Sequence, residues 1–279
     1  MLITTTHNRT KKNIMHLLEL KGVKKSYVQG GFFGRKRHCH VLQDVNLVID
    51  SGTCVGLLGR SGSGKSTLSR IALGLESPDA GKVLFNGKSL SEMKKQDRLS
   101  FRKNMQVVFQ NSLGSVNPGF TAGQIIAEPL QNFESLNSKA LQQKLENLII
   151  QVGLSVGDLK KYPHQFSGGE LQRICIARAI ALKPKLIVLD EAVSSLDMII
   201  QAKIINLLVE LQQQLHIAYL FISHDLRVLL KMTDRLAVMD KGRIVEQVDI
   251  IEETILQERQ LHTAFTELME AILPKIPKK

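Results

Sequence analysis

The chain has 279 residues, 43% hydrophobic and 23% charged, a composition that excludes intrinsic disorder and suits one large domain or one domain with an appendage. Its net charge of +11 favours an anionic partner such as nucleic acid, anionic lipid or an acidic protein face, yet the basic residues are scattered, as on an ordinary solvated surface, with small clusters at Arg35-Lys36-Arg37, Lys94-Lys95 and Lys278-Lys279. No run of about 18 apolar residues predicts a membrane span, the opening MLITTTHNRTKKNIMHLLEL does not read as a secretory signal, and Cys39, Cys54 and Cys175 read as reduced thiols of a cytoplasmic protein.

Residues 1–15 read as a polar tail, and the alternation of Val41, Val45, Leu47 and Ile49 within 16–49 predicts half-buried strands. The nearly all-apolar run at 53–58 predicts a strand covered on both faces. A glycine-rich turn and a helix ending at Gly74 follow. Further strands are expected at 82–85, 105–109, 186–189, 217–222 and 235–239. Helices are expected at 139–151 (starting after Ser138 and stopping at Gly153), 168–182, 198–215 and 225–232. The stretch 112–182 reads as a helical insertion between strands. The order gives an α/β core with an antiparallel β portion, divided as a tail at 1–15, a main domain at 16–250 and a short segment at 251–279. His38-Cys39-His40 would put the two histidines on one face of a strand, but reads as a loop-to-strand junction.

GRSGSGKS at 59–66 matches the phosphate-loop pattern G-x-x-x-x-G-K-[ST], with the strand before it and the helix after it that the pattern requires. Gly62 and Gly64 open backbone conformations closed to other residues. Backbone N–H groups along Gly59, Arg60, Ser61, Gly62, Ser63, Gly64, Lys65, Ser66 and Thr67 would then form a nest for the β- and γ-phosphates at a helix N-terminus. Lys65 adds a cation, and Ser66 offers a hydroxyl to Mg²⁺. KLIVLDE at 185–191 is an apolar strand ending in two acids. Asp190 is placed to hold Mg²⁺ through water, and Glu191 to orient the attacking water. FSGGELQ at 166–172 contains an S-x-x-E capping box, Ser167 to Glu170, that opens a helix. Gly168 and Gly169 leave its positive end uncovered, a second anion cradle.

The set resembles the nucleotide-binding domain of ABC transporters. It comprises Walker A at 59–66, the signature at 167–172, Walker B at 186–190, then Ser195-Leu-Asp197 and Ser223-His224-Asp225, with Asp190 following Ser167 by 23 residues. The resemblance implies a P-loop NTPase fold and a pair of domains that sandwich two ATPs, each held by one subunit's phosphate loop and the other's signature. Tyr27 matches the aromatic that stacks on adenine. Gln110 matches the glutamine that touches Mg²⁺ and the water and reports to the membrane subunits. His224 matches the switch histidine at the γ-phosphate, and Asp197 the loop joining the two sites. The segment MQVVFQNSLGSVNP at 105–118 is similar to the oligopeptide/dipeptide/nickel importer group, as is the tail around His262-Thr-Ala-Phe-Thr266. Glu191-Ala-Val-Ser-Ser-Leu-Asp197, Gly30-Gly-Phe-Phe-Gly34 and Gly74-Leu-Glu-Ser-Pro78 resemble its nickel branch.

That resemblance implies nickel(II) uptake across the cytoplasmic membrane by a peripheral ATPase on its inner face. Its partners would be a second ATPase or another copy of itself, two transmembrane permeases and an extracytoplasmic solute-binding protein. Dipeptide or oligopeptide import is the alternative. An ABC-type ATPase acting on nucleic acid or ribosomes is a third reading. It is opposed by the single domain and the lack of long coiled coils or zinc-binding inserts, so no nucleic acid is expected. Phe166 replaces the signature's usual leucine and Glu170 its usual glutamine, the latter an accepted variant.

Overall fold

The computed structural model describes residues 16–29 and 37–250. The N-terminal tail, the Gly30–Gly34 motif and the segment from 251 with His262 lie outside the described residues.

Two sheets organise the chain. The first is antiparallel, in the order β2-β1-β4-β5, and contains β1 (Leu18–Gln29), β2 (Arg37–Ile49), β4 (Ala80–Phe85) and β5 (Lys88–Ser89). The second runs β10-β9-β3-β8-β7-β6. Its strands are β3 (Cys54–Gly59), β6 (Met105–Phe109), β7 (Leu186–Asp190), β8 (Ala218–Ser223), β9 (Arg235–Asp240) and β10 (Arg243–Asp249). All pairs are parallel except the β9–β10 hairpin.

The apolar runs follow from the layers. Along β7, Ile187 and Leu189 face one core while Leu186 and Val188 face the other. Along β8, Tyr219 and Phe221 oppose Ala218, Leu220 and Ile222 in the same way. A strand buried on both faces has no polar side to alternate with. One core carries α1 (Lys65–Ala72) between the two sheets through Leu68, Ile71 and Ala72. The other carries α3 (Ala122–Phe133), α4 (Ser138–Gln151), α5 (Gly168–Ile180) and α6 (Met198–Leu215). The expected helical stretch at 112–182 contains three of these, broken by short 3₁₀ turns.

Several expectations need correction. Asn137 caps α4, accepting from the Ala140 N–H at 2.9 Å, so Ser138 is the first helical residue and not the cap. α5 stops at Ile180, because Lys183 turns the chain at φ 51°. α7 spans only Leu226–Leu229, since beyond it the chain tightens into i→i−3 bonds, from Lys231 N–H to the Val228 carbonyl at 3.3 Å and from Met232 N–H to the Leu229 carbonyl at 3.2 Å. In β2 the pairing slips between Val23↔Val45 and Lys25↔Leu42, so Leu42 is buried and Val41 only partly. Such a bulge shifts the alternation by one residue. His38, Cys39 and His40 lie within β2, exposed, with His40 Nδ1 2.8 Å from the Ser26 hydroxyl. α2 (Lys95–Asn104), β5 and β10 are elements that the sequence pattern does not predict.

Candidate nucleotide-binding site

Ligands of parallel α/β sheets sit at the carboxyl ends of the strands, and here four of those ends carry the candidate residues. Leu58 pairs with Ser223, Ile222 with Asp190, and Asp190 with Phe109. Gly59, His224, Glu191 and Gln110 therefore follow one another along a single edge, although they are up to 165 residues apart in sequence.

At Gly59 the backbone itself is the constraint. A Cβ there would meet the Met239 carbonyl and the Ser63 hydroxyl, each at 2.6 Å. Gly62 and Gly64 take φ of 78° and 108°, the left-handed region that disfavours a side chain. Gly64 also has the Val41 carbonyl 2.8 Å from where its Cβ would stand. No side chain caps α1 at Gly64, so the orphan N–H groups of its first turn are available to an anion. Lys65 is buried, and its Nζ donates to the carbonyls of Gly59 at 2.7 Å and Arg60 at 3.0 Å. Burial lowers its pKa, while the charges of Glu191 and Asp190 pull it back up. The Ser63 hydroxyl is buried without a partner. An uncapped helix end, a buried cation and an unpaired hydroxyl together fit a phosphate group.

Asp190 and Glu191 close the next strand. The carboxyl of Asp190 is pushed above its ordinary range, first by burial and then by the neighbouring Glu191 charge, with Ser69, Lys65 and Arg70 acting against the rise. Two adjacent acids at this strand end and the exposed hydroxyl of Ser66, the residue after Lys65, are the oxygen donors that suit Mg²⁺. Glu191 sits at φ 50° with its N–H bonded to the Ile222 carbonyl at 3.0 Å, a strained conformation for a side-chain-bearing residue. That turn brings its Oε1 to 3.5 Å from His224 Nδ1. Gln110 is exposed, with its carbonyl 3.5 Å from the Ser195 hydroxyl.

Ser167 caps α5 as the sequence implies. Its hydroxyl accepts from the Glu170 N–H at 3.3 Å, and its own N–H donates to Glu170 Oε2 at 2.8 Å. Those bonds from the Ser167 backbone and hydroxyl hold the Glu170 carboxyl below its usual range. Ser167, Gly168 and Glu170 are exposed, while Gly169 is buried against Ile200. Asp197 caps α6 through Oδ1, which accepts from Ile199 and Ile200 at 3.0 and 2.9 Å. Tyr27 is braced elsewhere. Its hydroxyl donates to Glu76 at 2.8 Å, past the C-terminal end of α1 from Lys65, and Lys25 lies 5.7 Å from its ring centre.

Sequence reading missed the brace beneath the phosphate loop. Gly242, in the turn between β9 and β10, donates to the Ser63 carbonyl at 3.0 Å, and Met239 lies under Gly59 and Gly64. Gly242 is itself hemmed in, with the Val41 carbonyl 2.4 Å from where a Cβ would project. The only local signal was the Lys241-Gly242 turn after an apolar strand.

The chain is similar to known proteins in sequence and in fold. A protein family described as "ABC transporter" matches residues 42–194. The nickel import ATP-binding protein NikE of Escherichia coli O157:H7 is 44% identical over 263 residues, covering 94% of this chain and 97% of that relative. The protein of the same name from Rhodospirillum rubrum is also 44% identical, over 94% of this chain and 93% of its own length. Among solved structures, the dimeric post-hydrolysis state of the ATP-binding cassette MJ0796 with ADP and Pi superposes with a TM-score of 0.74. It is 26% identical and covers 84% of this chain and 99% of that one. The cbiO1 subunit of the cbiONQ transporter complex of Clostridium perfringens gives 0.73 at 26% identity, with 84% and 89% covered.

Proposed function

We propose, from the premise that this chain belongs to the ABC transporter family, that it hydrolyses ATP to drive import of nickel(II). The observation that carries the ATPase reading is the single strand-edge row of Gly59, His224, Glu191 and Gln110. The nickel reading is supported by the two relatives named for nickel import, which match over nearly the whole chain.

In this reading the first turn of α1 and Lys65 hold the β- and γ-phosphates. Ser66, Gln110 and, through a water, Asp190 would hold Mg²⁺, which when bound neutralises phosphate charge. Glu191, turned toward His224, orients the water for in-line attack, and His224 faces the γ-phosphate. Phosphoryl transfer needs little covalent help, so positioning and charge neutralisation do most of the work. Tyr27 would supply the adenine platform. Ser167, Gly168, Gly169 and Glu170 would cradle the γ-phosphate held by a second ATPase subunit, with Asp197 at the junction. No described helix is long and apolar enough to cross a membrane; in this reading two permease subunits carry out translocation. The ATPase would dock on their cytoplasmic side, and an extracytoplasmic binding protein would deliver the metal.

The test is radioactive nickel uptake in cells lacking the gene. The wild-type gene should restore uptake and the Glu191→Gln gene should not, while the purified variant binds ATP but hydrolyses it about 100-fold more slowly or worse. Restoration of dipeptide uptake with no nickel uptake would overturn the solute. Normal hydrolysis by Glu191→Gln would overturn the water assignment.

A further inference from the structure

α5 does more than present Ser167. Three of its side chains at successive helix turns, Gln172, Cys175 and Arg178, lie on one face and grip the turn that follows Gln110. The Ser112 hydroxyl donates to Gln172 Oε1. Cys175 Sγ lies 3.5 Å from the Ser115 hydroxyl, and Arg178 Nη1 donates to the Ser115 carbonyl at 2.7 Å. The turn closes on itself as well, with Ser115 N–H and hydroxyl both bonded to the Ser112 carbonyl at 3.2 and 2.9 Å. Its apolar residue Leu113 is exposed, so polar contacts to α5 supply much of its anchorage. Of the three, Gln172 is the costly one. It is 1% exposed, and its Nε2 has no partner. A leucine of similar volume would avoid that unsatisfied donor, so stability alone does not account for an amide there.

We propose that Gln172 is a positioning residue for hydrolysis: it ties the Ser112 turn to the signature helix, so that seating Ser167–Glu170 on a partner's nucleotide fixes where Gln110 stands. This rests on the roles given above to Gln110 and to Ser167–Glu170. Gln172 itself lies one and a half turns inside α5, beneath the exposed cap, and acts through the serine rather than on the substrate. Movement of α5 then reaches the strand edge without passing through the phosphate loop.

A double-mutant cycle on the assembled importer tests this, with kcat and KM for ATP as the readout. Gln172→Leu and Ser112→Ala should each lower kcat about tenfold and leave KM within about twofold. The double variant should be no slower than the slower single, because both remove one shared bond. Multiplying effects, wild-type kcat, or a raised KM at unchanged kcat would each overturn the proposal. If Gln172→Leu fails to assemble, Ser112→Ala alone decides, and unchanged kcat in it overturns the proposal. Glu191→Gln run alongside separates the two readings: if it too hydrolyses ATP normally, the site assignment itself has failed.

Discussion

Glu191 and Asp190 show how neighbouring residues of one chemical type acquire different work. Glu191 is strained at φ 50° and is turned toward His224. Asp190 continues the strand into a partly buried place where ionisation is disfavoured. A carboxyl whose pKa is raised by folding helps stability below its unfolded value and loses that contribution as pH rises through the raised one. At neutral pH ionised Asp190 therefore burdens the nucleotide-free protein. Asp190→Asn, which cannot ionise, should raise the melting temperature at pH 7 while abolishing hydrolysis. That advantage should shrink as pH falls through the raised value and be gone below about pH 3, under the ordinary aspartate range, where the group carries its proton folded or not. Equal melting temperatures at pH 7 would contradict it. The trade is the one expected where function requires an unfavourable charge.

At the level of elements, the helix ends hold the most information. The capping box at Ser167 was legible because S-x-x-E precedes an apolar run, and the strands were legible because burial on both faces leaves uninterrupted apolar stretches. α2 was not, since only Phe101 of its ten residues is buried and no stripe emerges. β10 has no buried residue and exists as the outer arm of a hairpin. The grip of Gln172 on Ser112 and the brace of Gly242 on Ser63 join segments 60 and 179 residues apart, a distance at which local pattern says nothing. Close approach of α5 and α6 was equally hidden. A Cβ on Gly169 would stand 2.4 Å from Ile200 Cγ2, so Gly169→Ala should force the two first turns apart at about 1–3 kcal/mol. Adding Ile200→Ala should recover most of the lost melting temperature. If the double variant melts no higher than Gly169→Ala, the contact is not the cause.

For the whole molecule, ligand binding and folding are linked. ATP at about 100 times its Kd adds about 2.7 kcal/mol to stability, or roughly 5–10 °C in melting temperature for a chain of this size. Lys65→Ala should lose that shift, because it removes the buried cation from beneath the Gly59 and Arg60 carbonyls. An undiminished shift would disconnect the loop from nucleotide affinity. The placement of α1 in one core and α5 in the other has a further consequence. The six-stranded sheet stands between the two anion-attracting helices, so a single copy of the fold is an open hand with palm and fingertips on opposite sides. In the function proposed above, two such hands facing head to tail would each complete the other's grasp, and both grasps would form and release in the same movement.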